Sequence, residues 1–108
     1  MIARHWRGLA KAAFADHYVT HLQAETFPAI GALPGFVSAS ILRRTIAEGV
    51  EFLIVTHWES LDAIRAFAGD DIGVAVVPPS VHDMMVDYDR VVRHYEVVGQ
   101  NALLSRPS

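Results

Sequence analysis

The chain has 108 residues, enough for one domain around a single core. Hydrophobic residues make up 52% and charged residues 19%, more apolar character than one small body can readily hide, so a partner surface is expected. The formal charge of −3, with no basic cluster beyond Arg43 and Arg44, excludes an electrostatic footprint for nucleic acid, and the absence of cysteine excludes disulfides, thiolate metal sites and cysteine nucleophiles.

Residues 2–7 predict a first strand, with Trp6 favouring extended backbone and Gly8 punctuating its end. The opening residues lack the uninterrupted apolar stretch of a signal peptide. Over residues 10–33, Phe14, Tyr18, Leu22, Ile30 and Leu33 recur at three-to-four spacing, which predicts an amphipathic helix kinked or split at Pro28. The longest uncharged stretch, residues 26–42, contains Pro28, Gly31, Pro34 and Gly35 and cannot cross a bilayer as one helix, so no membrane partner and a cytoplasmic address are expected.

Leu33-Pro34-Gly35-Phe36 reads as a stop and turn. A second strand over residues 36–44 follows, with Val37, Ala39 and Ile41 alternating against Ser38 and Ser40. Ala47-Glu48-Gly49 makes a hairpin into a third strand, residues 50–58. Alternation puts Phe52, Ile54, Thr56 and Trp58 on one face and Leu53, Val55 and His57 on the other. Ser60 caps a helix in which Leu61, Ile64, Phe67 and Ala68 share a side and which Gly69 ends. Residues 72–77 are apolar and irregular, Pro79 suits the first turn of a short helix that includes Met84 and Met85, and residues 90–98 close the fold as a fourth strand. Residues 1–100 are expected to form the domain and residues 101–108 a flexible tail.

The order strand, helix, strand, strand, helix, strand predicts an α+β, ferredoxin-like split βαβ fold, a four-stranded antiparallel sheet with helices on one face. The third strand is apolar on its other face too, so two sheets are expected to pack face to face in a homodimer.

Residues 51–69, with their THWES and AIRAFAG, are similar to the strand-to-helix segment of the antibiotic biosynthesis monooxygenase family. The LPGF at 33–36, the ILRR at 41–44 and the HYEV at 94–97 resemble a recurrent subgroup of it. The resemblance implies a dimeric α+β barrel with a pocket between helices and sheet. Members that oxidise polycyclic phenols without a cofactor use a strand tryptophan, an asparagine and an arginine. Trp58 matches the tryptophan, whereas the asparagine expected on the first strand has no counterpart, since Asn101 is the only one in the chain. In the haem-degrading branch an iron-binding histidine lies roughly two and a half turns along the next helix; Phe67 stands near that position, and the helix holds no histidine.

On this footing Trp58 is the candidate pocket wall, able to stack an aromatic substrate, and Phe14, Tyr18, Leu22, Phe52 and Phe67 line the cavity or simply fill it. His94, which can lie on either face of its strand, is a candidate base, while His57, opposite Trp58, is assigned a structural role. Arg43 and Arg44 point to opposite faces, and Arg44 is taken as the candidate to stabilise a phenolate or enolate at the pocket mouth, against ordinary solubilising charge. His17, His21 and Glu25, at i, i+4 and i+8, share one helix face that can hold a divalent ion only with further ligands; no metal is expected. Together these imply a cofactor-independent monooxygenase acting on a small electron-rich aromatic (hydroquinone, anthrone or phenol) and O2. The alternatives are a non-catalytic binding module for a small apolar ligand, and a haem protein if His17, His21 or His82 supplies the iron ligand.

Overall fold

A computed structural model describes residues 1–101, so the expected tail, apart from Asn101, lies outside the described residues. Strand β1 (Ile2–Ala10) leads into a helical run made of a 3₁₀ turn (Ala12–Phe14), α1 (Ala15–His21), a π-helical stretch (Leu22–Thr26) and α2 (Phe27–Gly31). Then come the hairpin of β2 (Phe36–Ile46) and β3 (Gly49–Trp58), helix α3 (Leu61–Ala68), the short α4 (Pro79–His82), and strands β4 (Met85–Tyr88) and β5 (Arg93–Glu96). Among the described residues no helix is long and apolar enough to cross a membrane.

The first strand runs past the glycine expected to end it. Gly8 sits inside the ladder opposite Phe52, because the Trp6 ring lies across the space a side chain would need: a Cβ there would stand 2.5 Å from Trp6 Cη2. Pro28 does not split the helix either. It lacks an N–H and its ring crowds the carbonyl four residues back, and the wider π turn directly before it takes up that mismatch while the chain stays helical. Ser60 caps α3 as expected, its Oγ accepting from the Ala63 N–H. The LPGF turn presses against that helix. Gly35 has φ +85°, and a Cβ on it would meet the Ala63 Cβ at 2.5 Å.

The sheet is antiparallel and five-stranded, in the order β2-β3-β1, with β4 and β5 both pairing the free edge of β1. The expected closing strand, residues 90–98, is thus shortened to β5, and β4 is a further strand before it. Tyr88 pairs with Gly8 and Arg93 with His5, so the four residues from Asp89 to Val92 pass a gap of only two on β1. That slack is used: Trp6 Nε1 donates to the Asp89 carbonyl at 2.8 Å, and Val91 bridges to Val74, tying the irregular apolar segment to the sheet. Met85 lies in β4 rather than in the short helix, since α4 ends at His82 and the buried Met85 side chain is drawn into the core.

Helices cover one sheet face. Val50, Phe52, Ile54, Thr56 and Trp58 are buried beneath them, as alternation along β3 requires, and Leu53, Val55 and His57 are half-buried on the open face. The core has two clusters, one around Tyr18, Leu22, Phe52 and Ile54, the other around Ile30, Trp58 and Ile64, and Phe27 touches both.

Candidate functional site

A cavity of about 460 Å³ takes its walls from both clusters. The sheet supplies Arg4, Trp6, Ile54 and Thr56, the long helical run supplies Tyr18, His21, Leu22, Glu25 and Phe27, and α3 supplies Phe67. Residues 76–78 and Val81 also line it. The size and the mostly apolar lining suit a small organic molecule held by a few polar groups.

The strongest of those polar groups is Arg4, which is 4% exposed. Its Nη1 donates to the Ile72 carbonyl at 2.6 Å and lies 2.9 Å from His94 Nε2, and its Nη2 donates to the Val74 carbonyl at 3.2 Å. The guanidinium carbon sits 5.5 Å from the centre of the Phe67 ring. No carboxylate contacts it among the described residues. Burial pushes the Arg4 guanidinium down from its ordinary range to about 10, which leaves it charged at neutral pH.

His94 pairs with Arg4 across the β1–β5 ladder and therefore lies on the helix face, which decides between the two faces open to it. The arginine can only donate, so His94 Nε2 accepts and the ring is neutral. Burial first, and the Arg4 charge second, hold His94 below the usual imidazole range. Its lone pair is spent on Arg4, and it stands outside the cavity lining.

On the helical wall, His21 Nδ1 lies 2.8 Å from Glu25 Oε2, and the His21 side chain is 10% exposed. Its Nε2 is buried and has no hydrogen-bond partner among the described residues. His17, the third member of the row, is exposed and rests beside Phe14, 5.9 Å between ring centres. No group of three or more His, Cys, Asp or Glu is placed to hold an ion among the described residues.

Of the residues singled out from the sequence, Tyr18, Leu22 and Phe67 line the cavity. Burial raises the Tyr18 phenol well above its ordinary range, so it stays neutral. Phe52 lies below, edge-on to Tyr18, and Phe14 is exposed outside. Trp58 is fully buried one layer behind the wall. It stacks on Phe67 with ring centres 5.9 Å apart and an interplanar angle of 16°, meets Phe36 edge-on, and donates Nε1–H to Thr56 Oγ1 at 2.9 Å. Phe67 and Thr56 show the surface that Trp58 supports.

Arg44 is far from this chemistry. The β2–β3 register sets it opposite Glu51 on the open face, where Glu51 joins it at 2.6 Å and Arg7 at 2.7 Å. The hydrogen bond from Arg44, then that from Arg7, holds Glu51 below the ordinary carboxylate range. Arg43, on the other face, is engaged by Asp16.

Fold and site together define a small ferredoxin-like α+β protein with an apolar cavity and a buried cation between helices and sheet. A sequence profile described as antibiotic biosynthesis monooxygenase matches residues 1–72, and the chain belongs to that family. No curated protein matches it by sequence. Among solved structures, it is similar to a candidate antibiotic biosynthesis monooxygenase from Deinococcus radiodurans, at 18% identity and TM-score 0.67, covering 97% of this chain and 100% of that one. It is similar to the haem-degrader MhuD from Mycobacterium tuberculosis, which holds two haems in its active site, at 20% identity and TM-score 0.67 over 94% and 100% of the two chains. It is also similar to SnoaB, a cofactor-independent oxygenase from Streptomyces nogalater, at 16% identity and TM-score 0.59 over 96% and 97%. At these identities the likeness shows the fold.

Helix α3 offers the stacked Phe67 ring toward the cavity and has no imidazole, thiol or carboxylate among its cavity-lining residues, so of the three histidines considered as iron ligands His21, on the helical wall, is the one that lines the cavity.

Proposed function

We propose that the protein is a cofactor-independent monooxygenase acting on a small electron-rich aromatic, a hydroquinone, anthrone or phenol, bound in this cavity. The observation that carries the reading is the buried Arg4 charge without a carboxylate partner. Burial lowers the guanidinium to about 10, so the fold holds this charge at a cost. An anionic ligand relieves that penalty, and a phenolate or enolate is the anion that also fits apolar walls such as Phe67 and Trp6.

The chemistry needs no external reductant. The bound aromatic loses a proton, and its anion passes one electron to O2. The radical and superoxide combine through a new C–O bond, and the protonated peroxide loses water to leave a quinone. Both electrons come from the substrate. The protein contributes orientation, a dry cavity and a fixed cation.

Oxygen uptake by the metal-free protein with a panel of anthrones and naphthohydroquinones tests this. One O2 consumed per quinone formed, above autoxidation, is the expected result. No uptake, with strong quenching of tryptophan fluorescence by the same compounds, would replace the oxygenase by a binding module.

The open sheet face is proposed as the contact between two copies. Leu42 and Tyr95 are about half exposed there beside the half-buried Leu53, Val55 and His57, apolar surface interleaved with His5 and Ser40 that a lone chain would leave in water. Light scattering should give twice the 11.9 kDa of one chain. A monomer with an intact circular dichroism spectrum would sink the assembly.

A further inference from the structure

We propose that His21 is the proton acceptor of the cavity, with Glu25 as the positioning residue that orients it; this rests on the oxygenase reading and supplies the base that reading lacks. Arg4 can hold an anion but cannot create one, and His94 is neutral with its lone pair turned to Arg4. His21 differs on each point. It lines the same cavity as Arg4, its side chain is nine-tenths buried, and its Nδ1 is engaged by a carboxylate. A carboxylate can only accept, so Nδ1 carries the hydrogen and Nε2 carries the lone pair. That Nε2 is the one buried side-chain nitrogen or oxygen without a partner among the described residues. Leaving a buried acceptor unmade is unfavourable, and a turn of the ring toward the cavity it lines lets a substrate hydroxyl donate to Nε2 and removes the defect.

The local backbone fits this role. His21 is the last residue of α1, and Glu25 lies in the π-helical stretch that follows, an irregularity found often at functional sites. The ring is therefore aimed by a carboxylate from one side and free on the other, the arrangement that makes imidazole an effective general base. In the reaction the substrate O–H proton moves to His21 Nε2, and the phenolate oxygen is held by the Arg4 guanidinium. After the C–O bond forms, His21 returns the proton to the peroxide anion. The ring C–H proton then leaves with the distal hydroxide as water, the O–O bond breaks, and a carbonyl forms, so no net proton or electron is required.

Two readouts with His21→Gln test it. The first needs no oxygen: 4-nitrophenol is added at a pH below its own ionisation, and its anion band is followed. The band is expected in the wild type and is expected to vanish in His21→Gln while tryptophan quenching shows the dye still bound. A band that persists in the variant, or is absent from the wild type, overturns the assignment.

The second readout is oxygen uptake against pH. The wild-type rate should rise with pH as the base loses its proton, and His21→Gln should lower kcat about 10²- to 10³-fold and flatten that limb. Unchanged uptake and profile in the variant overturn His21 and leave the oxygenase reading standing. A dye band that depends on His21, with no uptake of oxygen by any anthrone, keeps the proton acceptor and removes the oxygenase. A Soret band on adding haem that disappears in His21→Gln reassigns the ring to iron and overturns its role as a base. Glu25→Gln should keep the fold and shift the pH profile, which a merely structural contact would not do.

Discussion

Arg4→Met is expected to lower kcat/KM for oxygen uptake about 10²- to 10³-fold while changing the stability of the fold by no more than about 2 kcal/mol. The first figure is the usual loss when one fixed donor to a developing oxyanion is removed. The second comes from two opposed effects. Methionine removes a charge that burial disfavours. It also removes the charge-assisted bonds to the Ile72 and Val74 carbonyls and to His94, and leaves acceptors in need of water. These oppose one another, so thermal unfolding should shift by about 10 °C at most. Uptake at the wild-type rate would remove Arg4 from the site. A collapse of the unfolding midpoint would make it a structural tie between β1 and the segment at residues 72–74. Arg4→Lys keeps the charge but loses the fork, and intermediate activity would show that both matter.

The same contact has a pH signature. His94 is held below its ordinary 6.5, so its neutral form is the one the fold favours. The stability this brings is fully present above pH 6.5 and is lost as the pH falls through the depressed folded-state value, because the unfolded chain takes up the proton first. Part of the depression comes from the Arg4 charge, so the acid limb of the stability curve should shrink in Arg4→Met.

Period-two alternation was enough to place Trp58 on the helix face, and it is equally enough to place Arg4 there, between Ile2 and Trp6 on β1. The signal at Arg4 was present and is easily passed over, because a charge near the start of a short strand ordinarily reads as solvent-exposed. Alternation gives direction but not depth. Whether Trp58 touches the cavity or backs it depends on Phe67, which α3 brings across it from nine residues on. His21 and Glu25 were legible as a pair from their spacing, but which side of the helix meets the cavity depends on a helical phase altered by the π turn. The divided outer lane was hidden for another reason. RVVRHYEVV reads as one strand, but its first residues follow the Asp89 carbonyl held by Trp6 and bridge to Val74 instead of joining the ladder, and β4 lies before it.

Trp58→Ala is expected to destabilise the fold by about 3–5 kcal/mol, the range for emptying a buried aromatic site. A domain of this size has roughly 5–15 kcal/mol in all, so the variant should be partly unfolded at moderate temperature and its lost activity would say little about chemistry. Trp58→Phe separates the two roles. It keeps a ring against Phe67 and Phe36 but removes the Nε1 donor, leaving Thr56 Oγ1 without its bond, at about 1–2 kcal/mol. Because Trp58 supports the wall from behind, uptake in Trp58→Phe should stay within about tenfold of the wild type, the change entering through a small displacement of Phe67. A loss of about 10²-fold or more in Trp58→Phe, with the unfolding midpoint nearly unchanged, would mean that the indole itself reaches the reacting aromatic, and Phe67 would have to move aside for it to do so.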